Sequence, residues 1–133
     1  MSRKPSLCKL LALCLSGCGL IAGAAHAADG DWKRGRIYYR QVCTSCHKAQ
    51  ANKSIGPNEK TQAEWKAYIQ ADKHNKGKDS VKHYFSKQYR DSVKASNAAA
   101  AKYAAVPESE LLEDIKAFVI RSAKDGDAPA GCS

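Results

Sequence analysis

Two cysteines and a histidine stand close together in the segment CTSCH, residues 43–47. Cys43 and Cys46 are separated by two residues, and His47 follows the second cysteine directly. Two thiols at this spacing beside an imidazole are typical of three kinds of site: a disulfide oxidoreductase, half of a zinc site, or the attachment point of a c-type haem. Each kind of site needs different surroundings, so the rest of the chain must distinguish them.

The first 27 residues have the pattern of an export signal. A cationic start is followed by an apolar stretch, and residues 25–27, Ala-His-Ala, form a small-residue cleavage signal. We therefore expect a signal peptide over residues 1–27 and one mature domain over residues 28–133. The apolar stretch is too short and too rich in glycine for a comfortable membrane span, and no later segment approaches the length needed. We expect a water-soluble mature protein in the periplasm.

A second processing route is open at residues 15–18, Leu-Ser-Gly-Cys, which resemble a bacterial lipobox. In such a signal the cysteine is acylated and becomes the new N-terminus. The residues after Cys18 are apolar rather than a polar tether, and the cleavage signal before Ala28 is well formed. We favour simple cleavage after Ala27. A lipid anchor at Cys18, on the periplasmic face of the membrane, is the alternative.

The mature chain is cationic and its charge is unevenly distributed. Cleavage after Ala27 leaves 19 Lys and Arg against 13 Asp and Glu, a net charge of +6. Residues 33–102 carry 16 of these cations against five acids, whereas residues 103–133 carry three against six. Such a surface attracts acidic partners in a salt-dependent way, although a lysine-rich solubilising surface explains the same distribution. The cations are scattered, so we expect acidic protein partners and no nucleic acid.

The cysteine count argues against two structural uses of the thiols. After cleavage only Cys43, Cys46 and Cys132 remain, which excludes a disulfide scaffold. A zinc site needs two further ligands at a paired spacing, but His74, His83 and Cys132 are isolated in the sequence. A lone exported thiol such as Cys132 can pair with another chain or a small thiol, or can have no role.

Helical patterns dominate the mature chain, and strand patterns are nearly absent. Thr61 followed by Glu64 is a capping-box pattern, and Pro107 followed by acidic residues opens the last helix. Val81, Phe85 and Tyr89 recur at steps of four, as on an amphipathic helix. The predicted helices cover about residues 31–46, 62–73, 79–105 and 107–124, with a loop over 48–60.

An all-helical chain argues against a disulfide oxidoreductase, whose cysteine pair belongs at the head of a helix that follows a strand. Here the pair is expected to end a helix, which leaves covalent haem. Two thiols one helical turn apart can form thioethers with the two vinyl groups along one porphyrin edge, and the adjacent imidazole then reaches the iron. Attachment of this kind follows export. It also lets a mature chain of about 106 residues use a large apolar cofactor as part of its core.

Over nearly all of its mature length the sequence resembles the class I c-type cytochromes. In the first helix of that family a glycine, an aromatic residue and the first haem cysteine follow at steps of four, and Gly35, Tyr39 and Cys43 match. The family's last helix carries an aliphatic residue and, three positions later, an aromatic one, as Ile115 and Phe118 do here. These two helices cross at the glycine, because only a residue without a side chain allows so close an approach.

Two further segments extend the resemblance. The family carries a Gly-Pro whose carbonyl accepts the N–H of the proximal imidazole, and residues 56–57 resemble it. The segment WKAYI resembles the family's third helix, which implies that Tyr68 lies near the haem. The resemblance implies an all-α, small cytochrome c fold of about four helices around one haem c. The implied site consists of Cys43 and Cys46 as thioethers, His47 as proximal iron ligand, and Pro57 and Tyr68 in the haem pocket.

The sequence departs from the family at the sixth iron ligand, which is usually methionine. Met1 is the only methionine, so the mature chain has none. We favour His83 as distal ligand because it follows Ile69 by 14 residues, close to the family's spacing. On a continuous helix, however, His83 points away from the apolar stripe. The alternatives are His74, Lys102, Asn97 and an open site.

These residues predict an exported monohaem cytochrome c that transfers single electrons between periplasmic or membrane-bound redox partners. No nucleophile or acid–base pair stands out, so we do not expect an enzyme. Bis-histidine ligation predicts a low potential, whereas an open site admits oxygen, nitric oxide or carbon monoxide. A ligand-binding haem protein, such as a gas sensor or a peroxidase-like module, is therefore one alternative. A cytochrome subunit of a larger membrane redox complex is another, indicated by the long basic segment 77–105.

Overall fold

The computed structural model describes residues 29–51, 55–75 and 77–128 of the chain. All regular structure in these three ranges is helical, which confirms the all-α prediction. The predicted signal peptide, the Cys18 anchor and Cys132 lie outside the described residues. Within the same ranges, no helix has the length and apolar character that crossing a membrane requires.

The described helices are short, apart from the last. They are α1 (Trp32–Tyr38), a π-helical turn (Tyr39–Cys43), α2 (Ser45–Ala51), a 3-10 turn (Pro57–Glu59), α3 (Gln62–Ala71), a second 3-10 turn (Lys82–Phe85), α4 (Lys87–Val93), α5 (Ala98–Lys102) and α6 (Glu108–Arg121). The predictions for α3 and α6 are confirmed to within about three residues, which is the usual uncertainty of helix ends. The other two predicted helices differ from the structure in an informative way.

The first predicted helix continues beyond the cysteine pair instead of ending there. Asp31 caps α1 by accepting from the backbone N–H groups of Lys33 and Arg34. The helix then widens into the π-helical turn, where the N–H of Thr44 donates to the carbonyl of Tyr39 at 3.0 Å. A π-helical turn inserts one extra residue and changes the direction of the side chains that follow it. Cys46 consequently lies in the first turn of α2, so the expectation that the motif ends a helix is wrong.

The predicted amphipathic helix over 79–105 is wrong as a continuous element. Val81 and Phe85 are buried as expected, but Ser86 has an extended backbone and separates the 3-10 turn from α4. The Ser86 hydroxyl accepts from the backbone N–H of Tyr89 at 3.1 Å, which makes serine the N-cap of α4. Asn97 caps α5 in the same way. Local caps therefore divide a stretch whose apolar spacing alone suggested one helix.

The predicted close approach of the first and last helices is present. A Cβ atom added at Gly35 would overlap the backbone carbonyl of Asp114, in the middle of α6. Ile115 and Phe118 are buried beside this point. The buried carboxylate of Asp114 accepts from the backbone N–H of Asp31 at 2.7 Å and from Nε of Arg34. We call this set of contacts the helix crossing, and it holds the start of α1 against α6.

Arg90 is the largest fully buried side chain of the described residues. Its Nη1 donates to the carbonyl oxygens of Tyr103 and Val106, and its Nε donates to that of Ser86. These bonds hold α4 against the segment that follows α5. The Nη2 group is buried and has no hydrogen-bond partner within the described ranges. A buried cation that meets only neutral carbonyls is costly, so this position favours a nearby anion.

Candidate haem site

The two thiols of the CTSCH segment lie one helical turn apart at the junction of the π-helical turn and α2. Cys43 ends the π-helical turn and is half-buried, whereas Cys46 lies in α2 and is exposed. Neither forms a disulfide. Burial raises the pKa of the Cys43 thiol to about 12, so this side chain is a protonated thiol at neutral pH. Both sulfur atoms are unpaired, and that of Cys43 reacts only when it loses its proton.

A second imidazole lies next to His47. The ring centroids of His47 and His74 are 5.8 Å apart, and the ring planes are inclined by 27°. Burial and the neighbouring His47 lower the pKa of His74, which favours the neutral ring. Neutral imidazole is the form that binds metals. The backbone N–H of Gly77 donates to Nδ1 of His74 at 2.7 Å.

His74 belongs to a group of packed rings that we call the ring cluster: Tyr68, His74, His83, Tyr84 and Tyr89. Tyr84 connects the group, with ring centroids 5.2 Å from both His74 and Tyr89. Burial and, after it, the neighbouring Cys46 raise the pKa of Tyr89, which places the cluster near the cysteine pair. Burial raises the pKa of Tyr89 to about 12, which keeps this phenol neutral.

Tyr68, which the resemblance placed near a haem, is a member of the ring cluster. Its ring centroid lies 6.4 Å from that of His74 and 5.9 Å from that of Trp65. The amino group of Lys60 lies 5.7 Å from the Tyr68 ring centroid, within cation–π range. Tyr68 thus joins the half-exposed cluster to the buried Trp65 beneath it.

The segment before α3 is held by two aromatic side chains. The carbonyl of Pro57, expected to accept from His47, accepts from Nε1 of Trp65 at 2.6 Å. The Tyr39 hydroxyl donates to the carbonyl of Ile55 at 3.0 Å. A carbonyl oxygen has two lone pairs, so the Pro57 oxygen retains one for a second donor. The bond from His47 to Pro57 stays a prediction.

His83, the ligand favoured from the sequence, is also a member of the ring cluster. Its ring packs on Tyr84 and Tyr89, with centroids 5.4 and 5.5 Å away, and its Nε2 is 3.8 Å from the Asp79 carboxylate. Because the 3-10 turn replaces the expected continuous helix, the reason for pointing His83 away from the apolar stripe no longer applies. Ligation by His83 stays a prediction.

The other two sequence candidates for the sixth ligand have different surroundings. Asn97 uses both ends of its amide: Oδ1 accepts from two backbone N–H groups of α5, and Nδ2 donates to the carbonyl of Gln41 at 2.7 Å. Lys102 is exposed, and its amino group lies 5.4 Å from the Tyr103 ring centroid. Asn97 therefore acts here as a helix cap and as a tether to the π-helical turn.

Sequence reasoning gave His74 little weight, because it stands in a Lys- and Gly-rich stretch between helices. The chain reverses at Asp72, which ends α3 with a left-handed backbone, φ 53°. The carboxylate of Asp72 then accepts from the backbone N–H of Lys82 at 2.8 Å. The intervening loop is thereby closed over α3, and His74 comes to lie beside Tyr68. A non-glycine residue in this conformation is uncommon and leaves no sequence signal.

The donor set fits haem better than a bare metal ion. Within the described ranges, no group of three or more His, Cys, Asp or Glu could hold a metal. Haem iron needs only one or two side chains, because the porphyrin supplies the other four nitrogens. Two free thiols for attachment, one adjacent imidazole and a second one 5.8 Å away meet that need.

Comparison with known proteins supplies no relative. No protein-family model, curated protein or solved structure matches the chain.

Proposed function

We propose that this chain is an exported monohaem c-type cytochrome that transfers single electrons between periplasmic or membrane-bound redox partners. The observation that carries the proposal is the meeting of the free thiols of Cys43 and Cys46, the imidazole of His47 and a second imidazole in one ring-lined site. The all-helical architecture and the close helix crossing at Gly35 support it, because the class I cytochromes that the sequence resembles have both.

The residue roles follow from the chemistry of the side chains. Cys43 and Cys46 would each hold the haem through a thioether, in which the sulfur has added to one carbon of a vinyl double bond and the thiol hydrogen to the other. His47 would bind the iron, and Pro57 and Tyr68 would line the pocket. When bound, haem supplies reversible one-electron chemistry.

The environment suits an electron carrier. The half-buried aromatic rings of the cluster lower the local dielectric beside the site, which limits the reorganisation of charge. Cys46 is exposed, so the edge of the site that carries this thiol faces solvent, where a partner can approach. The excess of cations over residues 33–102 favours a partner with an acidic docking surface, and association should weaken as salt is added.

A second candidate is a haem protein with an open or labile sixth position that binds small ligands. It is favoured by the hydrogen bond from Gly77 to Nδ1 of His74, which occupies the accepting nitrogen of the nearest second imidazole. The ferric spin state separates the two functions. A carrier is low-spin without added ligand, whereas an open site is high-spin and changes when cyanide or nitric oxide is added.

The test of attachment is expression of the full chain in a bacterial host with and without c-type haem maturation. Intact mass and the pyridine haemochrome spectrum report covalent haem. We expect one haem per wild-type chain, no covalent haem on the double variant Cys43→Ala/Cys46→Ala, and full loading of the control Cys132→Ser. A colourless wild-type protein with no added mass contradicts the proposal.

The test of electron transfer uses the same haem-loaded protein. Spectroelectrochemical titration should give a reversible transition that fits one electron, at a low potential if two imidazoles bind the iron. A haem that cannot be cycled between its oxidised and reduced forms excludes the carrier function.

A further inference from the structure

The separation of His47 and His74 matches that of two imidazoles that share one metal ion. Metal–imidazole bonds are about 2 Å long, so two rings on opposite sides of an ion have centroids about 6 Å apart. The observed centroid separation is 5.8 Å, with the planes inclined by 27°. At this separation and inclination the two rings lie in a roughly parallel, offset arrangement.

The surroundings of His74 hold it in this place. Its ring is flanked by Tyr68 and Tyr84, at centroid distances of 6.4 and 5.2 Å. On the loop side there is no space beyond Gly77, where an added Cβ would lie 2.8 Å from Nδ1 of His74 and 2.6 Å from the Tyr84 hydroxyl. His74 is therefore confined between two phenol rings and a backbone, on the side of the cluster that faces His47.

One hydrogen bond must break before His74 can bind a metal. Gly77 donates to Nδ1 at 2.7 Å, and a neutral imidazole has a single accepting nitrogen. Binding through Nδ1 displaces the Gly77 N–H directly. Binding through Nε2 requires the ring proton to move to Nδ1, which then no longer accepts. Either route opens the Gly77 bond, and one backbone hydrogen bond is a weak competitor for a metal–imidazole bond.

We propose that His74 is the distal iron ligand, opposite His47, and that its bond to iron competes with the hydrogen bond from Gly77. This assignment rests on the proposed function and replaces the sequence preference for His83. The His74 ring lies 5.8 Å from that of His47, whereas the ring contacts of His83 are with Tyr84 and Tyr89. On this assignment the two side chains that would hold the iron are both imidazoles, and neither is a methionine.

The test compares His74→Gly with the matched control His83→Gly in the full, haem-loaded chain. Ferric EPR and absorption spectra report the spin state. Wild type and His83→Gly should be low-spin, whereas His74→Gly should be high-spin. Adding free imidazole should restore the low-spin spectrum of His74→Gly, because the small ring fills the vacated place. A merely structural histidine would not be rescued in this way.

The glycine introduced in His74→Gly can loosen the loop that carries it, so a second pair of variants is needed. His74→Met puts a thioether at the distal position and should raise the reduction potential, whereas His83→Met should leave it unchanged. A high-spin wild type, a low-spin His74→Gly, or loss of the low-spin signal in His83→Gly overturns the assignment. These results are distinct from a wild type without covalent haem, which removes the proposed cytochrome function itself.

Discussion

The helix crossing and the ring cluster are held together by different means. At the crossing, backbone meets backbone at Gly35, and a buried carboxylate fixes the start of α1. In the ring cluster, half-exposed side chains pack on one another at centroid distances of 5.2–6.4 Å, and three of the five rings, those of His74, His83 and Tyr84, lie on a loop and a 3-10 turn. The crossing tolerates no added atom, whereas rings on loops can adjust their positions.

This difference suggests that the two regions have different roles. The crossing secures the fold, and under the proposed function the ring cluster would line the haem. Two tyrosines of the first helical stretch connect the regions. Tyr39 packs on Phe118 of α6 and on Trp65 beneath the cluster, and the Tyr38 hydroxyl donates to the carbonyl of Tyr84 at 2.7 Å. Mutations at the crossing should therefore affect the free energy of unfolding, and mutations in the cluster should affect the ferric absorption and EPR spectra of the haem-loaded chain.

The largest expected effect is that of Gly35→Val. The added side chain overlaps the Asp114 carbonyl, and a backbone cannot move aside as a side chain can. We expect the free energy of unfolding to fall by about 3–5 kcal/mol, as measured by urea denaturation of the haem-loaded protein. Gly56→Ala is the control, because its Cβ meets the movable side chain of Asn58. If Gly35→Val and Gly56→Ala are equally stable, the helix crossing is not the rigid, tightly packed region described here.

The next effect is expected for Asp114→Ala. The backbone N–H of Asp31 and the guanidinium of Arg34 lose a buried acceptor, which should cost about 2–3 kcal/mol. Glu110→Gln removes the other partner of Arg34 and is the control. That carboxylate is 52% exposed, so its loss should cost less than about 0.5 kcal/mol. If Glu110→Gln proves as costly as Asp114→Ala, the buried carboxylate is not what secures the crossing.

Alkaline pH tests the two tyrosines that connect the regions. Burial raises the pKa of Tyr38 and Tyr39 above the usual value of about 10. Above this pH the unfolded chain releases these phenol protons while the folded chain retains them, so stability falls as pH rises. Below about pH 10 the two phenols add no pH dependence. Each buried tyrosine should contribute a slope of about 1.4 kcal/mol per pH unit.

Tyr38→Phe should reduce the alkaline slope, as measured by urea denaturation between about pH 10 and 12. Tyr39→Phe serves as the parallel case, since its phenol is also shielded by burial. An unchanged slope in both variants would show that the tyrosines are accessible to base in the folded state.

Sequence reasoning predicted the elements whose signals are local. Thr61 and Glu64 form the expected reciprocal cap at the start of α3, and Pro107 precedes α6. The cysteine pair and His47 are contiguous, so their spacing alone makes them a candidate site, and their role stays a prediction. The crossing was predicted through the resemblance, and the added-Cβ overlap at Gly35 gives its physical reason.

The features that sequence reasoning missed depend on competition between local structures. The stripe of Val81, Phe85 and Tyr89 fits one helix, but Ser86 caps a new helix within it and divides it. The position of His74 depends on a left-handed turn at Asp72, a conformation that an aspartate adopts only when the surrounding contacts favour it. Neither outcome can be read from apolar periodicity.

The smallest effect concerns Asn97, which ties α5 to the turn that carries Cys43. Asn97→Ala removes the cap and the Nδ2 bond to Gln41, and should cost about 1 kcal/mol by urea denaturation. Asn97→Asp keeps the capping oxygen and loses only the donor to Gln41, so its cost should be smaller. If the tether orients the cysteine pair, both variants should also slow covalent haem loading equally, although their stabilities differ. If the loading rates of the two variants instead differ in proportion to their stabilities, Asn97 stabilises the fold, as the helix crossing does, and does not orient the cysteine pair.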